Sequence, residues 1–282
     1  MPAQTIRRID VGDTTLPLAD DGGDGPPVLF VHGAVADLRL WDRHRALLGG
    51  RHRGMALTLR YHGLDPWAEG WPPYGVGTHA DDLIAVLEQL GPVHVAAWSY
   101  SGQVVLDVAL RRPDLVRSAL VHEPGVPSAV TDPSALAAWR AAAAAAFAPV
   151  EAALAAGDDV AAMTALLDSS GGGPDYVASQ PAASRRVQVE NARTVRLLFA
   201  QQPPPRIGPA ELADLAVPVR ITLGERSGPL YAVPAAAMQV AIATATHRVV
   251  PGAGHMWPDE DPAAFSDAVV ALIAEVGSPP GF

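Results

Sequence analysis

The stretch "VHVAAWSYSGQVVL", Val93 to Leu106, places a serine, Ser99, between an apolar run and a segment of helical period. A serine hydroxyl becomes a nucleophile when a tight strand-to-helix turn projects it and a neighbouring base takes its proton. Such a turn demands small residues two before and two after the serine, because larger side chains collide with the adjoining backbone. Here those positions are Ala97 and Ser101, followed by Gly102, so the usual G-x-S-x-G is relaxed to A-W-S-Y-S. On its own, small-x-Ser-x-small is a common accident in an alanine-rich chain. Its position after "VHVAA" and before a helix is what gives it weight.

Acyl chemistry at a serine also needs donors for the developing oxyanion and a base that titrates near neutrality. The run "VLFVHGA" ends in His32-Gly33, which places the Ala34 N–H where it can join that of Tyr100, the residue after the serine. A turn after a strand is all this pair would mean without Ser99. The chain has nine histidines. His44 and His52 lie among arginines and read as surface, His79 begins a helix, and His94 and His247 belong to strands. His255, in "VVPGAGHMWP", is delivered by a glycine-framed loop after a late strand and is the expected base.

The elements that must position these residues alternate. "VLFVHG", "MALTL", "VHVAAW" and "SALVH" are short apolar runs, separated by helical patterns such as "ADDLIAVLEQL" and "SGQVVLDVALRR". This order predicts an α/β fold: a mainly parallel central sheet covered by helices on both faces. "TIRRIDV" and "TTLPLAD", split by Gly12 and Asp13, predict an edge hairpin. From 126 to 215 no strand pattern is present. Instead there are alanine-rich helices, "ALAAWRAAAAAAF", "VEAALAA" and "VAAMTALL", broken by "DSSGGGPD", "QPAAS" and "QQPPPR". That block is an expected helical cap, inserted between core segments 1–125 and 216–282. "PVRITLG", "AVPAAAMQVAIA", "THRVVPG" and "DPAAFSDAVVALIAEV", the last capped by Asp261, resume the alternation.

Composition excludes several classes. The 30 acidic and 20 basic residues give a formal charge of -10, which disfavours nucleic-acid and anionic-membrane partners. The chain has no cysteine and no lysine, which removes thiol and Schiff-base chemistry. The opening residues are too polar for a secretion signal, and no run reaches the ~18 apolar residues of a membrane span. A cytoplasmic protein is expected, acting on a small-molecule substrate without cofactor or metal; no histidine pair has the H-E-x-x-H spacing. The sequence sets no oligomeric state.

Together "VHGA", "RYHG", "AAWSYSG", "VHEPG", "GERS" and "GAGHMWP" resemble the α/β-hydrolase superfamily, in particular its small bacterial serine hydrolases with a helical cap. The likeness runs from about Asp10 to Leu272. It implies a Ser-acid-His order along the chain. In most of the superfamily the acid is an Asp three residues past the glycine ending the strand before the last helix pair. That position is Ser227, which cannot hold a negative charge. Two candidates remain. Glu225 lies on the same turn, and Glu123, in "VHEPG", ends the strand after the elbow helix, as in certain dehalogenases and lactonases. Geometry favours Glu123. The resemblance implies an esterase or lactonase working through an acyl-enzyme. The alternatives are C–C bond hydrolysis or acyl transfer on the same triad, or a non-catalytic receptor. Dehalogenase and epoxide-hydrolase chemistry is disfavoured, since those enzymes carry Asp as nucleophile.

The expected pocket is apolar and uncharged, suiting a neutral ester or lactone. Gly33, Tyr100, Trp139, Phe147, Phe199 and Trp257 are the expected substrate contacts, and Met163, Leu197, Tyr61 and Trp67 are further candidates.

Overall fold

The computed structural model describes residues 5–201 and 207–277. The expected break at 201–206 and the first four residues of the opening stretch therefore fall outside the described residues, Gln201 excepted. Eight strands form one sheet: β1 Thr5–Asp10, β2 Thr15–Asp20, β3 Pro27–Val31, β4 Arg53–Leu57, β5 Val93–Trp98, β6 Val116–His122, β7 Val219–Gly224 and β8 Thr246–Val250. Their spatial order is β1-β2-β4-β3-β5-β6-β7-β8. β1 pairs antiparallel with β2 and β2 with β4, while every remaining pair is parallel.

This is the expected α/β fold with its edge hairpin. The central strands are buried on both faces, which is why they read as unbroken apolar runs. Two apolar clusters result, one on each side of the sheet. One holds Leu29, Leu83, Val104 and Val121, and the other Phe30, Trp41, Leu120 and Phe265. Helices Val76–Leu90 and Tyr100–Arg111 contribute to the first cluster, and helix Pro262–Gly277, capped by Asp261, to the second. No helix among the described residues is long and apolar enough to cross a membrane.

Between β6 and β7 the described residues contain helices and no strand. The two expected segments "ALAAWRAAAAAAF" and "VEAALAA" are one 23-residue helix, Pro133–Ala155, that runs through Pro149. The many alanines around the proline, with their high helix propensity, offset the hydrogen bond it removes. His44, expected at the surface, is buried: it packs on Trp41 and Phe265, and its Nε2–H donates to the Pro258 carbonyl at 2.9 Å. The flanking arginines hid a helix face that turns inward.

One buried side chain ties the helical segment to the core. Asn191 accepts the Gly63 N–H at 2.6 Å and donates to Asp37 at 2.9 Å and to the Val187 carbonyl at 2.9 Å. It is fully buried, so its removal strands polar groups away from water. Asn191→Leu is expected to cost about 1–3 kcal/mol, seen as a lower urea midpoint. An unchanged midpoint would show that this bridge does not hold the two parts together.

Candidate active site

Ser99 sits at the turn between β5 and helix Tyr100–Arg111 with φ 57° and ψ -123°, in a region that side chains rarely enter. The turn is held by the Ser99 N–H on the His122 carbonyl (2.9 Å) and the Gly102 N–H on the Ser99 carbonyl (2.9 Å). Ser101, where glycine is commoner, is fully buried and donates its hydroxyl to the Val31 carbonyl at 2.7 Å. The need for a missing side chain falls instead on Gly102 and Gly33. A Cβ on Gly102 would lie 2.5 Å from Val121 Cγ1, and one on Gly33 would lie 3.0 Å from the Trp98 carbonyl and 3.3 Å from Ser99 Cβ.

Ala34 and Tyr100 line the cavity beside Ser99. The Tyr100 N–H, at the first turn of its helix, has no intrahelical acceptor, as an oxyanion donor requires. His32 acts as a strap behind this corner: Nδ1–H donates to the Gly33 carbonyl (2.8 Å) and Nε2 accepts the Leu59 N–H (3.0 Å). The Tyr100 ring points into the core, where its hydroxyl donates to His79 Nδ1 at 2.7 Å.

The loop after β8 brings His255 to Ser99, with Nε2 3.1 Å from Ser99 Oγ and Nδ1 2.8 Å from Glu123 Oε2. Because an ionised carboxylate only accepts, Nδ1 carries the proton and Nε2 is free to accept from the serine. Gly224 lets this loop cross the end of β7, since a Cβ there would lie 2.7 Å from the Ala253 carbonyl. Glu123 is 1% exposed and occupies φ 45° at the end of β6. Its Oε1 accepts the Gly224 N–H at 2.7 Å and the Ser227 hydroxyl. The residue standing where the acid is commoner thus hydrogen-bonds to Glu123. Burial pushes the Glu123 carboxyl up, but the hydrogen bonds and charge of His255, with His122 and Ser227, outweigh it and hold it below its ordinary value. Glu225 does not reach the histidine; it accepts the Gly252 N–H at 2.7 Å and so steadies the His255 loop.

The serine opens on a cavity of about 440 Å³ between sheet and helical segment. Gly33, Tyr100, Trp139, Phe147 and Phe199 line it as expected. Trp257 does not: it packs against His122 and Phe265 behind the histidine, because the short helix Trp257–Glu260 turns its ring into the core. Met163 is buried in a core cluster, Leu197 gives its place on the wall to Leu198, and Tyr61 and Trp67 pack against each other outside it. The wall was expected to be uncharged, but Glu151 contributes a carboxylate to it. Sequence reasoning also passed over Tyr231, whose ring lies flat on His255 with centroids 3.8 Å apart and planes 9° from parallel. "PLYAVPAAA" gave only a helical pattern.

A strained serine elbow on a parallel sheet, with histidine and carboxylate arriving from later strand ends, defines the α/β-hydrolase class. Residues 28–268 match the model of the alpha/beta hydrolase family, and the chain belongs to it. It is similar in sequence to 2-(acetamidomethylene)succinate hydrolase of Mesorhizobium japonicum, 30% identical over 116 residues, 40% of this chain and 41% of that protein. A lipase of Mycobacterium tuberculosis is 33% identical over 108 residues, 37% of this chain and 40% of the lipase. These matches span about two-fifths of each relative's length. The solved structure of E-2-(acetamidomethylene)succinate hydrolase superimposes with TM-score 0.61 at 25% identity, covering 96% of this chain and 99% of that one. The enol-lactonase from Burkholderia xenovorans LB400 superimposes with TM-score 0.73 at 19% identity, covering 95% and 100%, a likeness of fold.

Burial also leaves its mark on acid stability. It lowers His44 and His122 to about 4 and His79 to about 3, against 6.5 for a free histidine. These groups stay neutral in the fold and take protons on unfolding. Their stabilisation is complete above pH 6.5 and is lost as pH falls towards 4, at up to ~1.4 kcal/mol per pH unit for each. The Glu123 contribution, from a lowered carboxyl, is lost only below its ordinary value of 4.5. Urea unfolding should therefore show lower stability at pH 5 than at pH 7. A flat profile over that interval would contradict the neutral buried histidines.

Proposed function

We propose that the chain is a serine hydrolase that cleaves a carboxylic ester or lactone of a small, largely apolar substrate through an acyl-enzyme. The observation that carries this reading is the unbroken hydrogen-bonded run from Glu123 through His255 to Ser99, opening on an apolar cavity. Ser99 is the nucleophile, His255 the base and Glu123 the acid that orients the imidazole and stabilises its cation. His255 Nε2 takes the Ser99 proton as Oγ attacks the carbonyl carbon. The resulting oxyanion accepts the Ala34 and Tyr100 N–H groups. The C–O bond to the leaving group breaks as His255 returns the proton to that oxygen. Water, deprotonated by the same nitrogen, then attacks the acyl-enzyme and releases the carboxylic acid and Ser99.

Trp139, Phe147 and Phe199 favour an apolar acyl or alcohol part, and the Glu151 carboxylate on the wall disfavours an anionic one. The hydrolase class agrees with the family, and the ester or lactone choice rests on this pocket. With p-nitrophenyl acetate, Ser99→Ala and Glu123→Gln are each expected to lower kcat by on the order of ten-thousandfold, while Glu225→Gln stays within a few-fold of the parent. Near-full turnover in Glu123→Gln with collapse in Glu225→Gln would reverse the acid assignment. Failure of aryl esters, alkyl esters and lactones alike with folded protein would refute the hydrolase reading.

A further inference from the structure

Two in-plane hydrogen bonds locate the nitrogens of His255 but leave its ring free to rock about the line joining them. Something must hold the faces. On one face the Tyr231 ring lies 3.8 Å away and nearly parallel, while the Trp98 indole packs at 5.6 Å and 50°. Tyr231 is not itself loose. The preceding Leu230 carbonyl accepts the indole N–H of Trp139, on helix Pro133–Ala155 of the helical segment, at 3.1 Å. Gly171, in the same segment, has φ 142° and packs so closely on the histidine that a Cβ there would lie 2.8 Å from His255 Cβ.

We propose that Tyr231 is a positioning residue for His255, its ring bracing the imidazole against tilt, and that the Trp139–Leu230 hydrogen bond ties that brace to the helical cap. The proposal rests on the reading of His255 as the catalytic base. A ring stacked on the face leaves both imidazole nitrogens open to Ser99 and Glu123. Its electron-rich face also favours the imidazolium formed when the Ser99 proton arrives. The cap then does more than roof the cavity, because the orientation of the base depends on it.

The test is steady-state hydrolysis of p-nitrophenyl acetate by the full chain and its variants, with thermal midpoints measured alongside. Tyr231→Leu removes the stack and is expected to lower kcat by on the order of a hundredfold, the cost of misplacing a reacting group by about 1 Å, with KM little moved. Tyr231→Phe keeps the stack and loses only the hydroxyl. It should recover most of that loss and stay within a few-fold of the parent. A Tyr231→Leu enzyme with parental kcat, or a Tyr231→Phe enzyme as impaired as Tyr231→Leu, would overturn the brace. Should Tyr231→Leu fail to fold, Tyr231→Met, which fills much of the same space without a ring, takes its place, and parental kcat in that variant overturns the brace. An inactive parent would instead defeat the hydrolase reading on which the brace depends, a result distinct from an active parent insensitive to Tyr231.

Discussion

The buried carboxylate of Glu123 is the constraint around which the site is built. A carboxylate removed from water costs several kcal/mol unless its oxygens are bonded, and at 1% exposure Glu123 has little water to turn to. Three donors meet it, each from a different place: the Gly224 N–H at the end of β7, the Ser227 hydroxyl on the following turn, and His255 on the loop after β8. Satisfying one side chain therefore draws three separate segments to one point. The strain at Glu123, with φ 45°, is maintained by that convergence. Lose one donor and the remaining two hold a charge that is no longer fully compensated, so the position of His255 and the burial of Glu123 stand or fall together.

The neutral state of His122 belongs to the same logic. Its Nε2–H donates to the Gly254 carbonyl at 3.1 Å and its Nδ1 accepts from Thr222 at 3.0 Å. With burial lowering it to about 4, it stays uncharged where a second cation would compete with His255 for the carboxylate. The residue before Glu123 thus fixes the backbone that carries His255 without disturbing the proton on which the site depends.

The central strands and the meeting of Ser99, His255 and Glu123 were legible in the sequence for one physical reason, whereas the exposed edge strand β1 was legible through its hairpin turn at Gly12 and Asp13. A parallel sheet buried on both faces leaves uninterrupted apolar runs, and reactive residues at the ends of those runs must share one edge. Ser227 was legible too, as the place where an expected charge was missing, although its hydrogen bond to Glu123 was not. What could not be read depended on which way a side chain faces. Trp257 follows the histidine by two residues, yet a single turn of helix sends it into the core. His44 hides among arginines on a helix whose inner face only packing reveals. Tyr231 was invisible because stacking between residues on different elements leaves no periodic trace in the chain.

The relaxed elbow shows why a motif states a volume requirement rather than a list of glycines. Where Ser101 replaces the usual glycine, its hydroxyl donates to the Val31 carbonyl, so the added atoms bond the elbow to the end of β3. That strand end carries His32-Gly33, and its own clearance is tight: a Cβ at Gly33 would lie 3.3 Å from Ser99 Cβ. The close approach surrendered at 101 is recovered at 102, where helix and β6 meet over Gly102 with no room for a methyl group. Ala97, fully buried in β5, needs only to be small. A serine elbow can thus keep its backbone geometry with neither flanking glycine, provided that the neighbouring strand and helix each yield the space of one side chain.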